Sequence, residues 1–198
     1  MRNLPLLTLV IGALLVRESA GEGTPTPLPA PVTDADYHDA GAPPAAKVEV
    51  GRLLFFDKIL SGNRNISCAT CHHPRHATSD GVALGFGEGA RGLGPKRRPG
   101  RKIEQSVHER VPRNSPALFN LGAREYTTMF HDGRVEIDTN GYYESGFISP
   151  ARWKLPKGLD NVLAAQAMFP VTSQTEMAGQ KGENEIADQK SLNNVAGD

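Results

Sequence analysis

The sequence predicts a mostly α-helical domain whose helices are joined by long loops. A helix is indicated at Ala45–Phe56, because apolar side chains recur there at i, i+4, i+7 and i+8 and Pro44 suits a first-turn position. Shorter helices are indicated at Pro116–Leu121 and Asp160–Met168. The chain also contains 21 glycines and 15 prolines among 198 residues. That content is below the roughly 25–30% typical of disordered chains, but it implies many loops.

Charge and hydrophobicity limit the classes of function. Lys+Arg and Asp+Glu both number 22, so the formal net charge is zero and a nucleic-acid partner has no support. Hydrophobic residues make up 38% of the chain, which is little for a domain of this length. A large apolar cofactor would help to complete such a core.

The N-terminus has the pattern of a secretory signal. Met1-Arg2-Asn3 precedes an apolar run, Leu4–Val16, that is too short for a comfortable membrane span. Residues 1–20 are therefore predicted as a signal peptide for export to the periplasm; an uncleaved anchor or a buried helix is the alternative. A flexible Pro- and Thr-rich leader is expected at 21–44.

Cys68-Ala69-Thr70-Cys71-His72 matches the attachment motif for c-type haem. Two thiols three positions apart can each bond one vinyl group of the porphyrin, and the histidine can then ligate the iron. Half of a zinc site, a thioredoxin-like redox pair and a structural disulfide are the alternatives. The nearby His73 and His76 are expected at the surface or beside the iron ligands, without contact to the iron. A strong sixth iron ligand, typical of an electron carrier, would come from one of three methionines: Met129, Met168 or Met177.

Several blocks around this motif resemble the bacterial di-haem cytochrome c peroxidases and their MauG-like relatives, which mature a tryptophan-derived quinone. The blocks occur in the family's order: residues 50–57 (V-G-R-L-L-F-F-D), 113–120 (R-N-S-P-A-L-F-N), 130–134 (F-H-D-G-R), 165–167 (A-Q-A) and 175–177 (T-E-M). The resemblance implies a cytochrome c-like helical haem domain at 45–182. Residues 183–198 would be a polar tail or the start of a second haem domain.

The resemblance also implies roles for individual residues. His72 would be the proximal ligand of a peroxide-reacting haem c. Glu176 and Gln166 match the catalytic glutamate and glutamine on the distal side. A carboxylate above the iron can move a proton from the near to the far oxygen of peroxide, so that water leaves. His108 is a candidate distal ligand. Asn114 matches a residue that helps to hold calcium in the family, although one oxygen donor is far fewer than the 6–8 ligands that calcium takes.

Three features depart from the family pattern. The family has two C-x-x-C-H motifs and this chain has one, which suggests an N-terminal fragment or a truncated relative. His131 stands where the family usually has tryptophan between its haems. An insert at 135–165 has no assigned function, and we expect it to pack at the surface.

We therefore expect a haem peroxidase that reduces hydrogen peroxide with electrons from a small periplasmic donor such as a cytochrome c or a cupredoxin. The alternatives are a mono-haem electron carrier and MauG-like oxidation of a protein side chain. The basic run Lys96–Lys102 could dock an acidic donor, or it could be a solvated loop. A homodimer is a further expectation; no stable membrane insertion is expected after signal cleavage.

Overall fold

The structure, a computed structural model, describes residues 27–100 and 106–189. The predicted signal peptide, the end of the tail, and Arg101 and Lys102 of the basic run lie outside these ranges. Backbone contacts divide the chain into two units, Met1–Pro31 and Val32–Asp198. The described residues of the first unit, 27–31, form no helix or strand.

The prediction of a mostly α-helical fold is wrong. Only 28% of the described residues are helical and 9% are in strands. The three α-helices are α1 (Ala45–Phe56), α2 (Cys68–Cys71) and α3 (Val162–Gln166). Much of the remaining helix consists of single 3-10 turns, because closely spaced glycine and proline residues interrupt longer hydrogen-bond ladders.

Of the three predicted helices, one is confirmed, one is confirmed in a shorter form and one is wrong. The helix Ala45–Phe56 is confirmed at both ends, with Pro44 at its N-cap. The helix at 160–168 is confirmed in a shorter form, since α3 begins after Asn161, whose Oδ1 accepts a hydrogen bond from Ala164 N (2.8 Å). The helix at 116–121 is wrong: this segment is irregular and ends in a turn.

The strands form two small antiparallel sheets. In the first, β1 (Ala90–Arg91) pairs with β2 (Arg98–Pro99), so the glycine-rich segment 81–100 contains a short hairpin. The second sheet has the order β3-β4-β5, with strands at Thr128–Met129, Val135–Ile137 and Phe147–Ile148. Single 3-10 turns lie at Asp34–Asp36, His38–Gly41, Pro74–His76, Gly94–Lys96, Arg152–Lys154 and Pro170–Thr172.

The insert at 135–165 forms most of the hydrophobic core, so the expectation of surface packing is wrong. It supplies β4, β5 and most of α3. Its buried apolar side chains pack with those of β3 and of the turn after α3. The buried cluster consists of Met129, Val135, Phe147, Ala151, Leu155, Val162, Ala165 and Phe169.

Helix α1 contributes nothing to this core. It contacts α2 but buries none of its own residues. Its apolar side chains are largely exposed, among them Val50 (55%) and Leu53 (53%). Among the described residues no helix is long and apolar enough to span a bilayer.

Candidate functional site

The two cysteines lie at the ends of the one-turn helix α2. Ser67 precedes this helix and forms a capping box with Thr70, whose Oγ1 accepts a hydrogen bond from Ser67 N (2.8 Å). Cys68 and Cys71 are both free thiols and half-buried. Because residues three apart share one face of a helix, both thiols face the same side.

His72 is oriented by two backbone carbonyls. Its Nδ1 lies 3.0 Å from Thr78 O and 3.1 Å from Pro116 O. Since a carbonyl can only accept, Nδ1 carries the proton and Nε2 keeps its lone pair for a metal. Leu118 N donates to Thr78 Oγ1 (2.8 Å), so the 113–120 block contacts the loop after the motif as well as His72 itself.

Charged groups surround Cys71. Burial raises the pKa of the Cys71 thiol, the guanidinium of Arg97 acts in the opposite direction, and the carboxylates of Asp80 and Glu176 raise the pKa further. The structure therefore brings Glu176, more than a hundred residues away in sequence, into the electrostatic neighbourhood of the attachment motif.

Arg97 is a structural residue at this site. It is 0% exposed, and its guanidinium donates to Phe86 O (2.6 Å), Gly87 O (2.7 Å) and Gly92 O (3.1 Å). Sequence analysis left the basic run open as a docking surface or a solvated loop, and for the buried Arg97 both interpretations are wrong. Its neighbours Lys96 and Arg98 are exposed. The local sequence does not distinguish Arg97 from Lys96 and Arg98, because all three lie in the same Gly- and Pro-rich stretch. Only their positions in the folded structure differ.

Glu176 and Gln166 lie on two separate elements within residues 162–178. Glu176 lies half-buried on a π-helical turn, Gln174–Ala178, and Gln166 is the last residue of α3. Two backbone hydrogen bonds tie the turn to the residues around the haem motif, 45–121, here called the attachment region. Glu88 N donates to Glu176 O and Gly62 N donates to Met177 O, both at 2.8 Å. The predicted catalytic turn is therefore fixed through its backbone.

Asn114 joins the loop after the motif to the 113–120 block. Its Nδ2 donates to Val82 O (2.7 Å) and Asp80 Oδ1 (3.2 Å), while its Oδ1 accepts from Ser79 Oγ (3.3 Å). The fully buried Asp80 was missed by sequence reasoning, and its second oxygen, Oδ2, has no hydrogen-bond partner. Within the described ranges no three His, Cys, Asp or Glu side chains cluster as metal ligands, so calcium at Asn114 stays a prediction.

The other candidate iron ligands occupy different settings. His108 is half-exposed and its Nε2 lies 3.4 Å from Glu183 Oε1. Met129 belongs to the hydrophobic core, Met168 is 41% exposed, and Met177 is buried beside Glu176. A distal role for any of them remains a prediction.

A cavity of about 600 Å³ lies beside α2. Ala69, Thr70, His73, Leu93 and Arg97 are among the side chains that line it, whereas Cys68, Cys71 and His72 are not. The cavity therefore lies away from the face of α2 that presents the thiols.

Comparison with known proteins identifies the family of the chain. A sequence model of the family described as di-haem cytochrome c peroxidase matches residues 45–195, which include every block quoted above. The chain belongs to this family.

Curated di-haem peroxidase relatives match long stretches of the chain. The cytochrome-c peroxidase IdrP2 of Pseudomonas sp. (strain SCT) is 39% identical over 137 residues, covering 66% of this chain and 30% of that protein. The methylamine utilization protein MauG of Methylorubrum extorquens is 37% identical over 170 residues, covering 84% of this chain and 31% of that protein. The cytochrome c551 peroxidase of Pseudomonas aeruginosa is 33% identical over 88 residues, covering 44% and 20%. The chain thus spans about a third or less of the length of these relatives.

Membership of a di-haem peroxidase family implies haem c, and the residues at α2 fit that group. The two thiols are free and share a face of one helical turn. The histidine that follows has its Nδ1 engaged by carbonyls, which leaves Nε2 as the metal ligand. His131, in place of the family tryptophan, is exposed at the β3–β4 turn next to Phe130, over whose ring the Arg134 guanidinium lies at 4.2 Å.

Proposed function

We propose that this chain is the peroxidatic haem domain of a periplasmic oxidoreductase that reduces hydrogen peroxide to water with electrons from a small redox protein. The observation that carries the proposal is geometric: two backbone hydrogen bonds, from Glu88 N to Glu176 O and from Gly62 N to Met177 O, hold the turn that bears Glu176 against the surroundings of the attachment motif. Burial raises the pKa of the nearby Cys71 thiol, and the Glu176 carboxylate adds to that shift. A haem bonded to Cys68 and Cys71 supplies an iron at which peroxide binds and through which electrons arrive.

The protein side chains would do the rest of the chemistry. His72 holds the iron through Nε2, while its Nδ1 proton is retained by the carbonyls of Thr78 and Pro116. With haem bound, the Glu176 carboxylate would accept a proton from one oxygen of peroxide and return it to the other, so that this oxygen could leave as water. Reduction of peroxide to two waters consumes two electrons and two protons in all, and the haem would pass the electrons from the donor. Gln166 orients peroxide, because an amide donates a hydrogen bond but does not accept a proton at neutral pH.

The test is stopped-flow mixing of peroxide with the haem-loaded protein. Glu176→Gln keeps size and polarity but removes the base, so the peroxide reaction should slow about 10²–10⁴-fold. Gln166→Ala should cost less. Glu185→Gln is the matched control, since that carboxylate is exposed on the segment that follows. A Glu176→Gln protein that reacts within about threefold of wild type, much less than a general base contributes, would contradict the proposal.

A second candidate activity is oxidation of a protein side chain. It is favoured by the match to MauG, which covers more of the chain than the match to IdrP2. Peroxide consumption driven by a reduced cytochrome c or cupredoxin supports the first activity. Peroxide consumption that depends on an added protein substrate and alters its mass supports the second.

A further inference from the structure

Two glycines of the attachment region lie in direct contact with the turn that carries Glu176. Gly62, in the bend after α1, donates its backbone N–H to Met177 O, and Gly87 directly precedes the Glu88 N–H that donates to Glu176 O. The turn is therefore held at the two successive carbonyls that follow the Glu176 Cα, by backbone that belongs to the motif's surroundings.

Neither position has room for a side chain. A Cβ at Gly87 would lie 1.9 Å from Thr175 O and 2.7 Å from the Glu176 Cα, and a Cβ at Gly62 would lie 1.9 Å from Ala178 O. Real Cβ atoms essentially never approach closer than 3.0 Å. Neither glycine has a positive φ, so a left-handed backbone conformation is not the reason for glycine at these positions. Close contact with the Glu176 turn is what demands glycine here.

We propose that Gly62 and Gly87 are positioning residues, which set the distance of Glu176 from the haem-attachment motif by backbone-to-backbone contact. The proposal rests on the proposed role of Glu176. Relief of a 1.9 Å contact requires the turn to move by about 1 Å, and a misplacement of that size in a catalytic group can cost about 10²-fold in rate. A contact between two backbones also flexes less than one made through long side chains.

The first measurement compares Gly87→Ala and Gly62→Ala in the haem-loaded protein. Each should slow the peroxide reaction about 10–10²-fold, while denaturing mass spectrometry still finds the haem attached. Gly51→Ala and Gly122→Ala are the controls, because neither glycine has a positive φ. A Cβ at Gly51 meets nothing within 4 Å, and one at Gly122 meets only Tyr37 Cδ1 at 3.9 Å. Their rates should match the wild type.

A double-mutant cycle separates positioning from a general loss of structure. In a Glu176→Gln background the base is already gone, so adding Gly87→Ala should cost less than about threefold, a strongly non-additive result. A merely structural defect would slow both backgrounds equally and would overturn the proposal. Gly62→Ala in the same background provides an independent cycle if Gly87→Ala does not fold.

Amide hydrogen exchange gives a readout that does not depend on activity. The Glu88 and Gly62 amides donate to the Glu176 turn, so each alanine variant should expose its own contact and speed exchange there at least about tenfold. Gly51→Ala should not speed exchange at either amide. If Glu176→Gln is slow but the glycine variants react and exchange like wild type, the positioning role fails while the function of Glu176 stands. If Glu176→Gln reacts like wild type, the proposed function fails, and the positioning proposal fails with it.

Discussion

The attachment region, residues 45–121, and the insert region, residues 126–169, fill their interiors by different means. The insert region buries a continuous cluster of apolar side chains. The attachment region buries mainly polar groups, among them Ser67, Asp80, Glu88 and Arg97, and exposes apolar side chains such as Leu54, Phe56 and Leu93. One region is stabilised by hydrophobic burial, the other by hydrogen bonds to backbone carbonyls and amides.

This difference explains the thin hydrophobic composition of the chain. Burial of apolar area contributes about 25 cal/mol per Å², so a region without an apolar core lacks the main source of folding free energy. A covalently bound porphyrin would supply the missing apolar surface at the face where Cys68 and Cys71 point. We therefore expect the attachment region to depend on haem and the insert region to be independent of it.

Removal of haem should produce the largest difference in amide protection between the two regions. In a Cys68→Ala/Cys71→Ala protein, amide protection across the described residues of the attachment region should fall to that of an unprotected peptide, because the polar contacts alone do not offset the chain entropy. Protection across β3, β4 and α3 should persist. Hydrogen exchange resolved by segment is the measurement, with His38→Ala, outside both regions, as a control that keeps haem and protection. Equal loss in both regions would show that they fold as one unit.

A substitution in the core of the insert region should lower the unfolding free energy and leave haem attachment unchanged. Phe147 is 6% exposed in the apolar cluster, so Phe147→Ala should cost about 3–5 kcal/mol of unfolding free energy through the cavity it leaves. Haem attachment, read by mass, should be unchanged. Tyr142→Ala, in the same insert but 79% exposed, should change the free energy by less than about 0.5 kcal/mol. A urea titration of both variants measures these changes in unfolding free energy. If Phe147→Ala lost less unfolding free energy than Tyr142→Ala, the assignment of the core would be refuted.

Sequence reasoning succeeded where local rules determine the structure. Helix α1 was predicted to its ends because the apolar spacing and Pro44 are local signals. The haem motif is likewise contiguous, whereas the role of Glu176, which rests on family order, stays a prediction. The core in the insert was missed because its strands are two or three residues long, too short for alternation to be distinguished from chance. Arg97, Asp80 and the two contact glycines were missed because their partners lie far along the chain, and only the folded backbone brings them together.

Within the attachment region, the hydrogen bonds of Arg97 can be tested separately from its charge. Arg97→Lys keeps the positive charge, but an ammonium on a flexible stem cannot reproduce the planar fork that reaches the carbonyls of Phe86, Gly87 and Gly92. At least one buried carbonyl would lose its donor, at a cost of about 1–3 kcal/mol. The effect should therefore be smaller than that of Phe147→Ala, and it should appear in hydrogen exchange around β1 and β2 in place of β3 to β5. Arg91→Lys is the matched control, since Arg91 lies on the same hairpin and is exposed. An Arg97→Lys protein as stable as Arg91→Lys would mean that charge alone, and not the directed hydrogen bonds, holds the attachment region together.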